Sequence, residues 1–247
     1  MDNIDLRPGE RLDDLQYRGL KIIQDPAGFC FGSDAVLLAS FSSVRPGGSV
    51  LDLGTGTGIL LLLLSARTKA SRLVGLEVQH AVAERARRSV AWNGLTERIE
   101  IMEGDLKCAK SLFCPNSFDL VVCNPPYGKA GHSFSGDSSE RNIARHEVLC
   151  TLKDCVQAAA WAVKASGRVC FVIPPLRFAE LLALFEAHRL TPKRLRTVQA
   201  RPQDSPSVIL VEGRKGAKPG LSWGPPILLL ENQGMTEQAR RLYHMEP

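Results

Sequence analysis

No two of the seven cysteines have C-x-x-C spacing, and none clusters with histidine as a zinc knuckle would, so no metal site is expected. Several thiols fall within apolar runs, Cys123 in LVVC and Cys170 in RVCFVI. Small buried hydrophobes in a reducing compartment are expected. Long apolar runs are missing too. The longest, GILLLLLSA, falls well short of the roughly 20 residues a membrane helix needs. The opening MDNIDLRPGERLDDL is polar and has no signal-peptide core, which predicts a cytoplasmic protein. There is no internal repeat and no low-complexity linker, so a single domain over 1–247 is the simplest organisation. Net charge is small: 31 Lys and Arg against 26 Asp and Glu give +5, which permits a polyanionic partner without requiring one.

What is present is an alternation of strand and helix patterns. After a polar start, GLKIIQ reads as a short strand and SDAVLLASFSS as a helix with an N-cap at Ser33. Residues 1–45 form an N-terminal extension, a short strand and a helix. From Ser49 onward the pattern runs SVLDLG strand, GILLLLLSAR helix, RLVGLEV strand, HAVAERARRSVAWNG helix, IEIMEGD strand and FDLVVCNPP strand. TLKDCVQAAAWAVKA helix, GRVCFVIPP strand and RFAELLALFEAHRL helix follow, and LRTVQA and SVILVEG end the series as consecutive strands. Alternating β and α segments predict a mostly parallel sheet covered on both faces, here with a C-terminal antiparallel pair.

The chemistry gathers at strand ends. VLDLGTGTGIL runs from a strand into Gly54, Gly56 and Gly58, which let backbone approach a ligand. Position 59 is Ile59, so the spacing is not the dinucleotide fingerprint G-x-G-x-x-G. The next strand ends at Glu77, an acid suited to both hydroxyls of a ribose. The third ends at Asp105. The fourth ends in Asn124-Pro125-Pro126-Tyr127, where two prolines fix two φ angles and bias Asn124 toward extended backbone. That corner presents an amide beside an aromatic ring.

The glycine segment resembles the first motif of class I S-adenosylmethionine (SAM)-dependent methyltransferases. The resemblance implies a Rossmann-like class I methyltransferase fold, α/β with a seven-stranded sheet and SAM as cofactor. It implies a cofactor site of Asp52, Gly54, Gly56, Gly58, Glu77, Asp105 and Asn124, with Asp105 receiving the adenine amino group. NPPY resembles the corner used by enzymes that methylate planar amines. There Asn124 and the Pro125 carbonyl would accept hydrogen bonds from the amine, Pro126 would hold the turn, and Tyr127 would stack on the base. The flanks ERLDDLQYRGLKIIQDPAGFCFGSDAVLLASF, NPPYGKAG, ERNIARHE, GRVCFVIPPLRFAELL, LTPKRLRTV and SVILVEGRKG are similar to tRNA adenine-N6 methyltransferases that modify valine tRNA next to its anticodon. That family implies a tRNA partner. It also implies that the N-terminal extension packs over the cofactor, with Phe29 and Asp34 nearest its methionine end.

Basic residues could meet phosphates: Lys193, Arg194, Arg196 and Arg201, and Arg141 and Arg145 after the NPPY loop. Arg85, Arg87 and Arg88 are expected to face solvent on a helix. His132 and His146 lie near the corner, but this amine chemistry needs no catalytic base. Three other readings share parts of the pattern: a glutamine methyltransferase of release factors, a guanine-N2 rRNA methyltransferase, and a SAM-binding protein without catalysis. The acceptor corner argues against the last, since holding SAM needs no amine acceptors.

Overall fold

Strands β3 (Ser49–Leu53), β4 (Arg72–Glu77), β5 (Ile99–Glu103), β6 (Phe118–Cys123) and β7 (Val163–Ile173) are mainly apolar runs, as parallel strands covered on both faces must be. They belong to a computed structural model that describes residues 6–28, 30–126, 150–232 and 234–243. Strands β8 (Leu190–Gln199) and β9 (Val208–Lys215) complete the sheet in the order β8-β9-β7-β6-β3-β4-β5. Pairing is parallel from β7 through β5, whereas β9 is antiparallel to both neighbours. This is the predicted seven-stranded class I architecture with its C-terminal hairpin. Two short pieces, β10 (Ser222–Trp223) and β11 (Ile227–Leu228), add parallel pairs to the β8 edge and bring the sheet to nine strands among the described residues.

Alternation along each strand sends side chains to two cores. Val50, Leu120, Val122 and Cys170 pack with α1 (Ser33–Phe41), α2 (Ile59–Arg67) and α3 (His80–Trp92). Leu51, Leu53, Val121 and Phe171 pack on the other face, under α4 (Ala109–Leu112), α5 (Leu152–Ala162) and α6 (Phe178–Ala187). Helix α2 is buried along nearly its whole length, which explains its run of leucines. Helix α5 starts on a capping box between Thr151 and Asp154. No helix among the described residues is long and apolar enough to cross a membrane.

Several expectations need correction. The N-terminal segment holds a hairpin before α1, not one strand: β1 (Arg11–Asp14) pairs antiparallel with β2 (Lys21–Gln24). β1 reads RLDD and offers too little apolar alternation to be legible. Ser33 is the first residue of α1, and the cap position is Gly32. Helix α5 ends at Ala162, and Val163–Ala165 already belong to β7, which bends through Ser166 at φ 60° before regaining register at Arg168. Cys123, Cys155 and Cys170 are buried, but Cys108 and Cys114 are exposed.

The arginines of α3 depart most from expectation. Arg85 is 5% exposed. Its guanidinium reaches Glu10 and Asp25, each at 3.3 Å, while Arg88 meets Glu10 at 2.6 and 2.7 Å. With Ile23 N–H donating to Ser89 Oγ and Lys21 N–H to Asn93 Oδ1, these pairs fasten the hairpin to α3. Hydrogen bonding from Arg88 outweighs burial and holds the Glu10 carboxyl at about 2.

Candidate cofactor and acceptor site

The chain leaves β3 toward β4 on one side and returns to β6 on the other. Carboxyl ends of strands open a crevice at such a reversal. A cavity of about 520 Å³ lies there, a size typical of small-ligand sites. It is lined by Asp34, Gly54, Gly56, Glu77, Asp105, Asn124, Pro125 and Pro126, which brings together most of the sequence-derived site residues.

Gly54 and Gly56 form the floor at φ +70° and +55°, and a Cβ on either would meet no atom within 4 Å. The backbone there faces open space and is held from behind. Gly54 and Thr55 N–H both donate to the Leu76 carbonyl, at 2.9 and 3.0 Å. Gly56 N–H donates to Glu77 Oε2 at 2.9 Å and Gln79 N–H to Oε1 at 3.0 Å. Val78 N–H and the Gln79 side chain also bond this carboxylate, which stands in the cavity wall. Burial raises the Glu77 pKa, and its backbone donors oppose the shift.

Asp52 lies beneath this floor, fully buried, and does not line the cavity. Thr55 Oγ1 donates to its Oδ2 at 2.7 Å, and Oδ1 has no hydrogen-bond partner among the described residues. Burial raises the Asp52 carboxyl to about 7; the Thr55 bond opposes this and the Glu77 charge adds to it. Gly75, level with Asp52 on β4, makes room for that bond, since a Cβ there would come within 2.8 Å of Thr55 Cγ2. In the sequence neither Thr55 nor Gly75 stands out as a site residue, although a glycine inside a strand marks close approach.

Asp105 caps the turn Leu106–Cys108, accepting from Lys107 N–H at 2.9 Å, and its carboxylate meets Lys107 Nζ at 3.3 Å. On the acceptor side Asn124 is half-buried and Pro125 buried. Cys123, Cys150 and Cys155 line the same cavity. Hydrogen bonding to Cys123, then burial, pushes the Cys155 thiol well above its usual range, and a protonated thiol is a poor nucleophile.

Other candidates are not gathered here. Gly58, at φ +82°, faces Ala86, whose Cβ would lie 3.5 Å from an added Cβ; it packs α2 on α3 and does not line the cavity. Phe29, Tyr127, Arg141 and Arg145 lie outside the described residues. Arg194 is committed to the fold. Its Nη2 bonds the Phe41 carbonyl at 2.6 Å and Glu212 at 2.7 Å, and its guanidinium sits 4.5 Å from the Phe41 ring centroid. Arg196 donates to the Pro225 carbonyl at 2.9 Å and Lys193 to that of Lys218 at 3.4 Å, while Arg201 is exposed beyond the end of β8.

The model of the methyltransferase small domain family matches residues 21–182. A tRNA1(Val) (adenine(37)-N6)-methyltransferase of Porphyromonas gingivalis is 33% identical over 208 residues, covering 82% of this chain and 81% of that protein. The chain belongs to the methyltransferase small domain family. Its cofactor is SAM, and its reaction is methyl transfer. A predicted O-methyltransferase, protein Atu636 from Agrobacterium tumefaciens, superposes with a TM-score of 0.69 at 23% identity, over 85% of this chain and 95% of that one. A geranyl diphosphate C-methyltransferase from Streptomyces coelicolor, solved with Mg2+, geranyl diphosphate and S-adenosyl-L-homocysteine, has a TM-score of 0.53 at 13% identity, over 74% of this chain and 78% of that one. These two likenesses concern the fold alone.

Proposed function

We propose that this member methylates the exocyclic N6 amine of an adenine in a tRNA anticodon loop, the substrate for which its relatives are named. One observation carries the reading: Asn124, Pro125 and Pro126 border the same cavity as Glu77 and Asp105. When bound, SAM supplies an electrophilic methyl group. The chain's own residues do the rest. Glu77 takes the ribose hydroxyls, Asp105 the adenine amino group of the cofactor, and the bare backbone of Gly54 and Gly56 allows close approach. Asp52 acts from below, by charge and by holding Thr55. Asp34 and Phe29, in the N-terminal 45 residues, wall the methionine end, and the chain works as one domain.

An exocyclic amine keeps its lone pair in the ring. Asn124 Oδ1 and the Pro125 carbonyl accept its two N–H groups, so the nitrogen can pyramidalise and aim the lone pair at the methyl. Pro126 holds that geometry, and Tyr127 stacks on the base. Catalysis is mainly positioning and fixed dipoles. The proton leaves after transfer, so no histidine is required. Lys193, Arg196, Arg201, Arg141 and Arg145 are the candidates for phosphate contact; Arg194 is the weakest, given its ties to Phe41 and Glu212. The enzyme would act where tRNA matures, in the cytoplasm.

Labelled SAM offered separately to total tRNA, rRNA and release factors tests the reading. Label in tRNA, recovered as N6-methyladenosine, is the expected result. Label confined to glutamine or to guanine would replace it with one of the other amine acceptors.

A further inference from the structure

The residue that completes the acceptor corner lies 51 positions from it in sequence. β7 runs parallel beside β6, with Phe171 level with Cys123, so the chain leaving β7 passes the NPPY corner. It forms a short turn, Pro175–Arg177, and Arg177 is 4% exposed there. A guanidinium that deep needs partners for its donors. Nε and Nη2 grip Glu180 side-on, at 3.0 and 2.8 Å. Nη1 is directed at the Pro126 carbonyl, 3.5 Å away: long for a hydrogen bond, close for a cation and a carbonyl dipole in a dry site.

We propose that Arg177 is a positioning residue for the reaction, fixing the Pro126 carbonyl and so the direction in which the chain leaves the acceptor corner. The proposal rests on the amine-methylation reading above. Proline rings set φ at 125 and 126 but leave ψ free. The ψ angle of Pro126 turns its carbonyl and orients the next peptide, which carries Tyr127. A carbonyl held by Nη1 removes that freedom.

Glu180 has its own part. Methyl transfer leaves positive charge on the amine nitrogen, and a bare guanidinium nearby would oppose it. The side-on carboxylate neutralises Arg177 while leaving its fork rigid. Glu180 itself is 41% exposed, so replacing Arg177 leaves no buried, unpaired carboxylate, whereas truncating Glu180 takes two acceptors from the buried guanidinium.

Arg177→Met, Arg177→Lys and Glu180→Ala, assayed with tRNA under single-turnover conditions, test this. Arg177→Met should slow methyl transfer by about 10²-fold, as small misplacements of reacting groups do. SAM affinity and melting temperature should stay close to wild type. Arg177→Lys should recover part of the rate, and Glu180→Ala should lose less than Arg177→Met. A wild-type transfer rate in folded Arg177→Met overturns the proposal. So does a loss confined to melting temperature and SAM affinity, which would make the pair a turn-to-helix staple. If Arg177→Met does not fold, Glu180→Ala decides, because an unchanged rate there overturns the role and a slowed one at normal SAM affinity supports it. Wild-type enzyme that methylates no tRNA adenine would instead sink the acceptor reading itself.

Discussion

The two halves of the crevice are held by different means. On the cofactor side, at the ends of β3, β4 and β5, backbone does most of the holding. Leu76 and Glu77 take four N–H groups from the glycine loop and Gln79, and buried ion pairs lock the N-terminal hairpin to α3. On the acceptor side, at the ends of β6 and β7, two prolines and one guanidinium set the corner. Beyond it large apolar side chains stand exposed, Leu176 at 93% and Trp223 at 61%. A small cofactor of fixed shape suits a closed, backbone-lined site. A macromolecular acceptor needs an open approach, with only the reacting amine held closely.

If the halves are separable in energy as they are in structure, substitutions should sort the same way. The largest effect is expected at Asn124. Asn124→Ala should cost about 10²–10³ in turnover, the usual loss for one preorganised polar group, with SAM affinity within a fewfold of wild type. Asn124→Asp keeps an acceptor and should retain some activity. A parallel loss of SAM binding would erase the division.

Next is the clasp. Glu10→Gln should lower stability at pH 7 by about 3 kcal/mol, as removal of one partner from a buried pair does. SAM affinity should fall with it, because the clasped turn at Asp25 leads into Cys30, Phe31 and Gly32 of the cavity wall. The Glu10 pKa is depressed, so its contribution is present above 4.5 and is lost as pH falls toward about 2. Melting curves of the two proteins should therefore converge over that window.

Glu77→Ala should weaken SAM binding about tenfold or more, since charge-assisted hydrogen bonds contribute roughly 1.5–3 kcal/mol each. Calorimetry finding wild-type affinity in the folded variant would move the cofactor elsewhere. The smallest effect concerns Asp52, whose pKa is raised from 3.8 to about 7. A raised pKa means the folded state binds the extra proton, so stability falls as pH rises through that interval. Ligand-free wild type should melt higher at pH 5 than at pH 8, and Asp52→Asn should narrow the difference. Glu77, shifted the same way, should preserve part of the slope.

The same division governs what the sequence could show. The strand tips were legible because period-2 and period-3.6 segments alternate, so the Gly54 loop, Glu77, Asp105 and Asn124 each fall at a strand end in order. Arg85 was not: it sits among arginines on a helix, and its acids are 75 and 60 residues away. Arg177 gives no local signal for its contact with Pro126, which follows only from β7 lying next to β6. Strand β1 has one apolar residue in four and exists because β2 pairs with it. Arg194 looks like a free cation in KRLR, yet the fold spends it on Phe41 and Glu212.

In the proposed function the acceptor corner prepares an adenine amine of tRNA for methylation. The most direct measurement is mass-spectrometric mapping of the methyl group in valine tRNA treated with wild type or Asn124→Ala at saturating SAM. Wild type should place N6-methyladenosine next to the anticodon, and Asn124→Ala should leave it nearly absent. The same modification from Asn124→Ala at a near-normal rate, or a methyl group on guanine instead, would contradict it.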